Sequence, residues 1–164
     1  MRVAALLALL AAAPGVGRET IGVYRGWGAF RDAAPARCYA IARPVRAGGR
    51  SGAFASVATW PDRGLRASVD VRLSRPRDRS AGVTLSVGER RFALVATGLH
   101  AWAADGPSDR ALVSAIRAGR SMSIEAVGEG GRPFADVYAL AGAATAIDAA
   151  ALACTGRSGA RAAG

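Results

Sequence analysis

From Arg66 to Ser74, apolar and polar side chains alternate without a break. Ala67, Val69, Val71 and Leu73 are separated by Arg66, Ser68, Asp70, Arg72 and Ser74. A period of two sends one set to each face of a strand, so this segment predicts a sheet with one wet face. Val83, Leu85 and Val87 repeat the pattern against Thr84 and Ser86. Gly88-Glu89-Arg90 then connects tightly to Arg91 through Val95, which predicts a hairpin over 82–96. The stretch 99–103 extends that meander. Earlier in the chain, 27–30 and 37–43 are short apolar runs split by the turn signal Asp32-Ala-Ala-Pro35. Phe54 to Trp60 is a further run, closed by Pro61-Asp62 and Gly64. Alternation returns at 121–127 through Met122, Ile124 and Ala126. The glycine-rich turn 128–131 then sends 134–140 back as its partner.

Two segments carry a helical period instead. Asp105-Gly106-Pro107-Ser108 supplies capping oxygens, and Leu112, Val113 and Ile116 form an apolar stripe. They predict a helix over about 108–118, with Gly119 as a left-handed cap behind Arg117. The second helix, about 142–154, is nearly all Ala and must pack closely. Its Ile147, Ala151 and Cys154 fall at i, i+4 and i+7, on one face. Short strands in meander order, two helices and no alternating βα units predict a mainly β fold, an antiparallel sandwich or barrel. A doubly wound nucleotide-binding fold is excluded.

The amino terminus departs from both periods. Met1-Arg2 is followed by the apolar run from Val3 to Ala13, then by the small residues of Pro14-Gly15-Val16-Gly17. This is the layout of a signal peptide over 1–17, and the run is too short to span a hydrocarbon core of ~30 Å. No Cys follows it to carry a lipid anchor, and no later segment is long and apolar enough to cross a membrane. The expected organisation is a leader over 1–17, one domain over 18–155 and a flexible tail over 156–164, in a periplasmic or secreted protein. Cys38 and Cys154 are the only thiols, too far apart for a CxxC redox motif and without the companions of a zinc site. In an oxidising compartment they read most simply as one disulfide, the alternative being two unrelated buried thiols.

Composition adds a charge. The chain has 164 residues, enough for one domain, and 51% of them are hydrophobic. Its net charge is +10, and all 22 basic residues are Arg. A GC-rich codon bias explains why Arg replaces Lys, but not why Arg so outnumbers the acids. The excess favours anionic partners in a salt-dependent way. Arg72, Arg75, Arg77 and Arg79 form the densest cluster, with Arg90 and Arg91 within reach across the sheet. Four guanidinium groups on one loop would suit lipopolysaccharide phosphates; the plainer reading is a solvated loop. Nucleic acid is a poor partner for an exported chain with no stacking aromatics among its Arg residues.

Candidate catalytic chemistry is thin. His100 is the sole histidine and has Asp105 nearby, but no GxSxG elbow accompanies any Ser, so the chain reads as non-catalytic. One His and scattered carboxylates make no metal set, and no cofactor is implied. Asp136 and Tyr138 share a strand face at i and i+2, where a carboxylate most plainly fixes backbone geometry. Trp27, Trp60 and Trp102 could line a sugar or peptide groove, though packing in the core with a bonded indole is the simpler expectation.

The segment Asp136-Val-Tyr138-Ala-Leu140-Ala-Gly142, continuing through Ala146-Ile147-Asp148 to Cys154, resembles the carboxy-terminal signature of the invasion-associated locus B family. Upstream, 112–119 is similar to that family's preceding helix. Ala101-Trp102 matches an aromatic before it, and Trp27-Gly28 with Cys38-Tyr39 matches its opening strands. The similarity runs from Trp27 to Cys154, while Ala141 and Ala149 stand where members carry Lys and Gln. The resemblance implies an exported Gram-negative envelope protein with an immunoglobulin-like β-sandwich and a Cys38–Cys154 bridge. Trp102, Asp136, Tyr138 and Gly142 would be its structural motif. The expected function is contact with an envelope protein or glycolipid, without catalysis. The alternative is polyanion binding through the loop from Arg72 to Arg79.

Overall fold

Small residues at the inward positions of the early strands and branched ones in the later strands let a single sheet wrap one core. The computed structural model describes residues 17–50 and 52–155. Its strands are β1 (Arg18–Tyr24), β2 (Trp27–Asp32), β3 (Arg37–Ala42), β4 (Phe54–Trp60), β5 (Leu65–Arg72), β6 (Val83–Val87), β7 (Arg90–Thr97), β8 (His100–Trp102), β9 (Ser121–Val127) and β10 (Pro133–Ala139). The helices are α1 (Gly106–Ala118) and α2 (Ala143–Thr155). The expected leader and the expected tail over 156–164 lie outside the described residues, apart from Gly17.

The strands form one 10-stranded antiparallel sheet in the order β1-β2-β3-β4-β5-β8-β7-β6-β9-β10. It bends back on itself in a sandwich-like arrangement. The Trp27 indole N–H on β2 donates to the Ala139 carbonyl on β10 at 2.9 Å. Beyond β3, the Val45 N–H donates to the Val137 carbonyl at 2.7 Å. Residues from both halves, such as Trp27, Val71, Leu85 and Ile124, therefore share one core. The hairpin over 82–96 forms as β6–β7, and β8 lies between β7 and β5.

Three local expectations are corrected. The alternation of β5 sets in only at Val69, because Ala67 takes a φ of 54° where the register with β4 slips between Ala58 and Trp60. Gly119 is not a left-handed cap, since its φ is −82° and its ψ 167°. What requires glycine there is space: a Cβ would come within 2.4 Å of the Val87 side chain. On α2 the inward face runs through Ala143, Ala146, Ile147, Ala150 and Cys154, while Ala151 is exposed. β1 had no forecast at all. Its residues are largely exposed, and its pairing with β2 slips between Thr20 and Gly22.

Other signals hold. The Asp105 carboxylate caps α1 by accepting the Ser108 N–H at 2.7 Å. On the next turn Asp109 accepts the Val69 N–H at 2.8 Å, which ties α1 to β5. The chain enters α2 through Gly142 at a φ of 88°, so close to β1 that a Cβ would sit 2.0 Å from the Tyr24 carbonyl oxygen. Alanines along α2 let it settle against β1, β2 and β3. Cys154 meets Cys38 there as a disulfide, with Cα atoms 5.8 Å apart at a sequence separation of 116.

In the chain-entropy account, closing a loop of that size stabilises by roughly 4–5 kcal/mol, less native strain. Replacing both cysteines, Cys38→Ser with Cys154→Ser, is expected to lower the urea-unfolding free energy by about 2–5 kcal/mol. Hydrogen exchange should place the first added opening in α2; an unchanged urea midpoint would contradict this.

Candidate functional site

The outward positions of β4 read Phe54, Ser56, Ala58 and Trp60, with large rings at both ends and small groups between. β3 contributes Arg37, Tyr39 and Ile41 on the same side, and β2 contributes Phe30. Beyond β4 stand Ser68 and Asp70 of β5 and Trp102 of β8. The outer face of the sheet is thus hollowed into a groove of about 500 Å³, within the usual range for ligand sites. Half of the chain's Phe, Tyr and Trp residues line it.

One end of the groove is cationic. Phe30 and Tyr39 are stacked with centroids 5.7 Å apart. The Arg37 guanidinium lies 4.5 Å from the Tyr39 centroid and 5.3 Å from that of Trp60. Arg63, on the short turn after β4, lies 4.9 Å from the Trp60 centroid. Asp32 organises this end: its carboxylate accepts from Arg18 Nε at 3.0 Å and from Arg37 Nε at 2.9 Å. Burial pushes the Asp32 carboxyl up, but the hydrogen bonds from Arg18 and then Arg37 outweigh it and hold the group below the usual carboxylate range. Burial, reinforced by Asp32, raises the Tyr39 phenol.

The other end is aromatic. Phe54 meets His100 edge-on at 5.9 Å, and His100 Nδ1 is 3.2 Å from each Asp70 carboxylate oxygen. Trp102 remains 36% exposed. Asp105, expected near His100, is occupied in capping α1.

The loop from Arg72 to Arg79 does not present four free guanidinium groups. Arg77 is buried and donates to the carbonyls of Asp78, Arg79, Ala81 and Ala96, at 3.0, 3.3, 3.0 and 2.8 Å. It staples its own turn to β7 and is not an anion contact. Arg72 donates to the Gly52 carbonyl at 2.9 Å, and Arg75 lies over Phe134 at 5.3 Å. Arg79 is exposed. Arg90 packs over Phe92, and Arg91 pairs with Glu125.

Asp136 is fully buried and accepts the Gly48 N–H and the Ser74 N–H, both at 2.9 Å, and the Ser74 hydroxyl as well. It joins β10 to the connection after β3 and to the end of β5. Tyr138 fills the core beside it, its phenol pushed far up by burial and then by the Asp136 charge. Trp27 is core, whereas Trp60 and Trp102 belong to the groove. The sequence reading missed Arg18, Phe30, Arg37, Tyr39, Phe54 and Arg63. The available signal lay in β3 and β4, where rings alternate with inward alanines. A second depression, of about 580 Å³ between Gly82 and Phe134, holds one charged group, Glu125, already paired with Arg91.

A mainly antiparallel β protein with two helices and an arginine–aromatic groove is the class that this geometry defines. Its fold matches the solved structure of invasion associated protein B from Bartonella henselae, at a TM-score of 0.62 and 19% sequence identity. The match covers 85% of this chain and 99% of that one. No protein-family model matches the sequence, and no curated protein matches it.

Two outcomes follow. Asp136→Ala leaves the two buried Ser74 donors and the Gly48 N–H without their acceptor and is expected to destabilise by roughly 3 kcal/mol, read from urea unfolding. For Asp32, a lowered folded pKa contributes stability that is complete above the unfolded value near 4 and is lost as pH falls through the folded one. The stability gap between the parent and Asp32→Asn should therefore be constant from pH 8 to 5 and shrink below about pH 4. A gap that widens on acidification would contradict the assignment.

Proposed function

We propose that this chain is an exported envelope protein of the invasion-associated type that acts by contact and not by turnover, its protein or glycolipid partner seated on the outer groove. The groove carries this reading. Trp, Tyr and Arg are the side chains that dominate binding energy at contact surfaces, and here they converge on one face. The leader-like stretch over 1–17 supports export, and so does the disulfide that closes the domain. The lone His–Asp pair packs against Phe54 at the rim, an arrangement suited to holding the wall of a site.

The loop from Arg72 to Arg79 is the poorer polyanion clamp, because Arg77 is committed to backbone carbonyls. Sedimentation with Gram-negative outer-membrane vesicles separates the two surfaces. Trp60→Ala with Trp102→Ala should weaken co-sedimentation by about tenfold or more, a difference of 1.4 kcal/mol, with the thermal midpoint of the fold unchanged. Arg75→Ala with Arg79→Ala should leave it within about twofold. Loss in the second pair alone, or in neither, refutes the groove as the contact surface.

A further inference from the structure

The geometry points to an acidic oligosaccharide as the ligand of this groove. We propose that a sugar ring stacks on Trp102 while a carboxylate, sulfate or phosphate further along the same chain is held by Arg37 and Arg63. This deepens the contact reading above and rests on it.

Charge is the first argument. The groove lining carries Arg18, Arg37 and Arg63 together with Asp70, which is engaged with His100, while Asp32 beside it pairs with Arg18 and Arg37, so three guanidinium groups meet two carboxylates. An anion is therefore the complementary ligand. Asp32 acts as a positioning residue: by fixing Arg37 Nε it holds that guanidinium over Tyr39 and Trp60 before any ligand arrives.

Spacing is the second. Trp102 stands opposite Asp70, and Asp70 opposite Ser56, so Trp102 lies two strands from β4, roughly 10 Å at the usual strand separation. Trp60 lies four residues beyond Ser56, roughly 13 Å along an extended strand. A bare anion reaches only the cationic end, and a single ring only one end. A chain of rings with an acid group reaches both.

The floor between them is the third. Ser56, Ala58 and Ser68 are small, and two of them carry hydroxyls. An acyl chain would offer nothing to the Ser68 hydroxyl, the Asp70 carboxylate or the arginines. Hydroxyl-rich rings suit a floor with serine and carboxylate partners, their apolar faces against aromatic rings.

Calorimetry on the disulfide-bonded chain tests this with three probes: a heparin-derived tetrasaccharide, neutral cellotetraose and inorganic sulfate. The acidic tetrasaccharide should bind at least about tenfold tighter than either of the others, and weaken as salt rises. Trp102→Ala should weaken both oligosaccharides alike, whereas Arg63→Ala should weaken only the acidic one and flatten its salt dependence. Trp102→Phe, which keeps a ring face, should restore most of the loss and so separates stacking from misfolding. Equal affinity for sulfate and tetrasaccharide means an adventitious ion only and overturns the proposal. Binding indifferent to both Trp102→Ala and Arg63→Ala overturns it as well. If the tetrasaccharide fails while Trp60→Ala with Trp102→Ala still abolishes vesicle sedimentation, the saccharide is refuted and a protein partner stands; if both fail, the contact reading falls too.

Discussion

The close approach of α2 to the inner face of β2 and β3, sealed by the Cys38–Cys154 bond, decides where bulky side chains can go. Inward positions along β2, β3 and β4 are mostly small, Ala29, Cys38, Ala40, Ala42 and Ala55, with Trp27 and Val57 the larger exceptions. The facing side of α2 is Ala143, Ala146, Ala150 and Cys154. Both surfaces are thin, so helix and sheet meet at short range with little apolar volume between them. A covalent link supplies stability that so slight a core cannot. Apart from Trp27, which lies in the core, the rings of these strands occupy the outer side: Phe30, Tyr39, Phe54 and Trp60 are all there. An outer face rich in rings is thus the complement of an inner face made small for the helix.

The opposite half of the sheet uses buried polar groups as joints. Asp136 gathers donors from Gly48 and Ser74, which lie far apart in the chain, and Arg77 gathers carbonyls from its own turn and from β7. Each makes several bonds, with only Arg77 Nε left unpartnered, which is how a buried charge can be tolerated. Removing either would leave partners with no water to replace it. Trp27 and Gly142 belong to the same framework, one bonding to β10 and the other admitting β1 against the start of α2. The most conspicuous residues of the carboxy-terminal segment are therefore architectural.

Legibility followed the strength of each local signal. β5 and the β6–β7 hairpin could be read because one face is wet and the other dry, so alternation is nearly complete. β1 could not, because it is exposed for most of its length and carries no alternation. In α2 the direction of the inner face was hidden, since alanines on all sides leave little amphipathic contrast. Ala150 and Ala151 differ only through tertiary contact. Gly119 illustrates the same limit: glycine after a helix suggests a left-handed cap, yet the demand comes from Val87 at the end of β6 and Leu140 just after β10. The groove is hard to read because a ring in a strand looks the same whichever face it takes, so even Trp60 and Trp102, candidates for a groove, read more simply as core. Only the pairing of β2, β3 and β4 shows that the rings stand on the side away from α2.

Arginine content takes on a different meaning once positions are known. Codon bias accounts for the absence of Lys across the whole chain, and many of these side chains are simply solvated. At Arg18, Arg37 and Arg63, however, the guanidinium does what an ammonium cannot, packing over a ring while keeping in-plane donors for a carboxylate or another anion. Lys at Arg37 would retain the charge but lose the two-point bond to Asp32 that fixes its direction. Codon bias is blind to position, but the fold is not. It buries Arg77 among carbonyls in the cluster that is densest in sequence, and it assembles arginines from β1, β3 and the turn after β4 into a cluster that no stretch of sequence contains. Charge density along the chain is therefore a poor guide to the electrostatics of this surface, and the strand register, which sets Phe30 beside Tyr39 and Ser56 beside Asp70, is a better one.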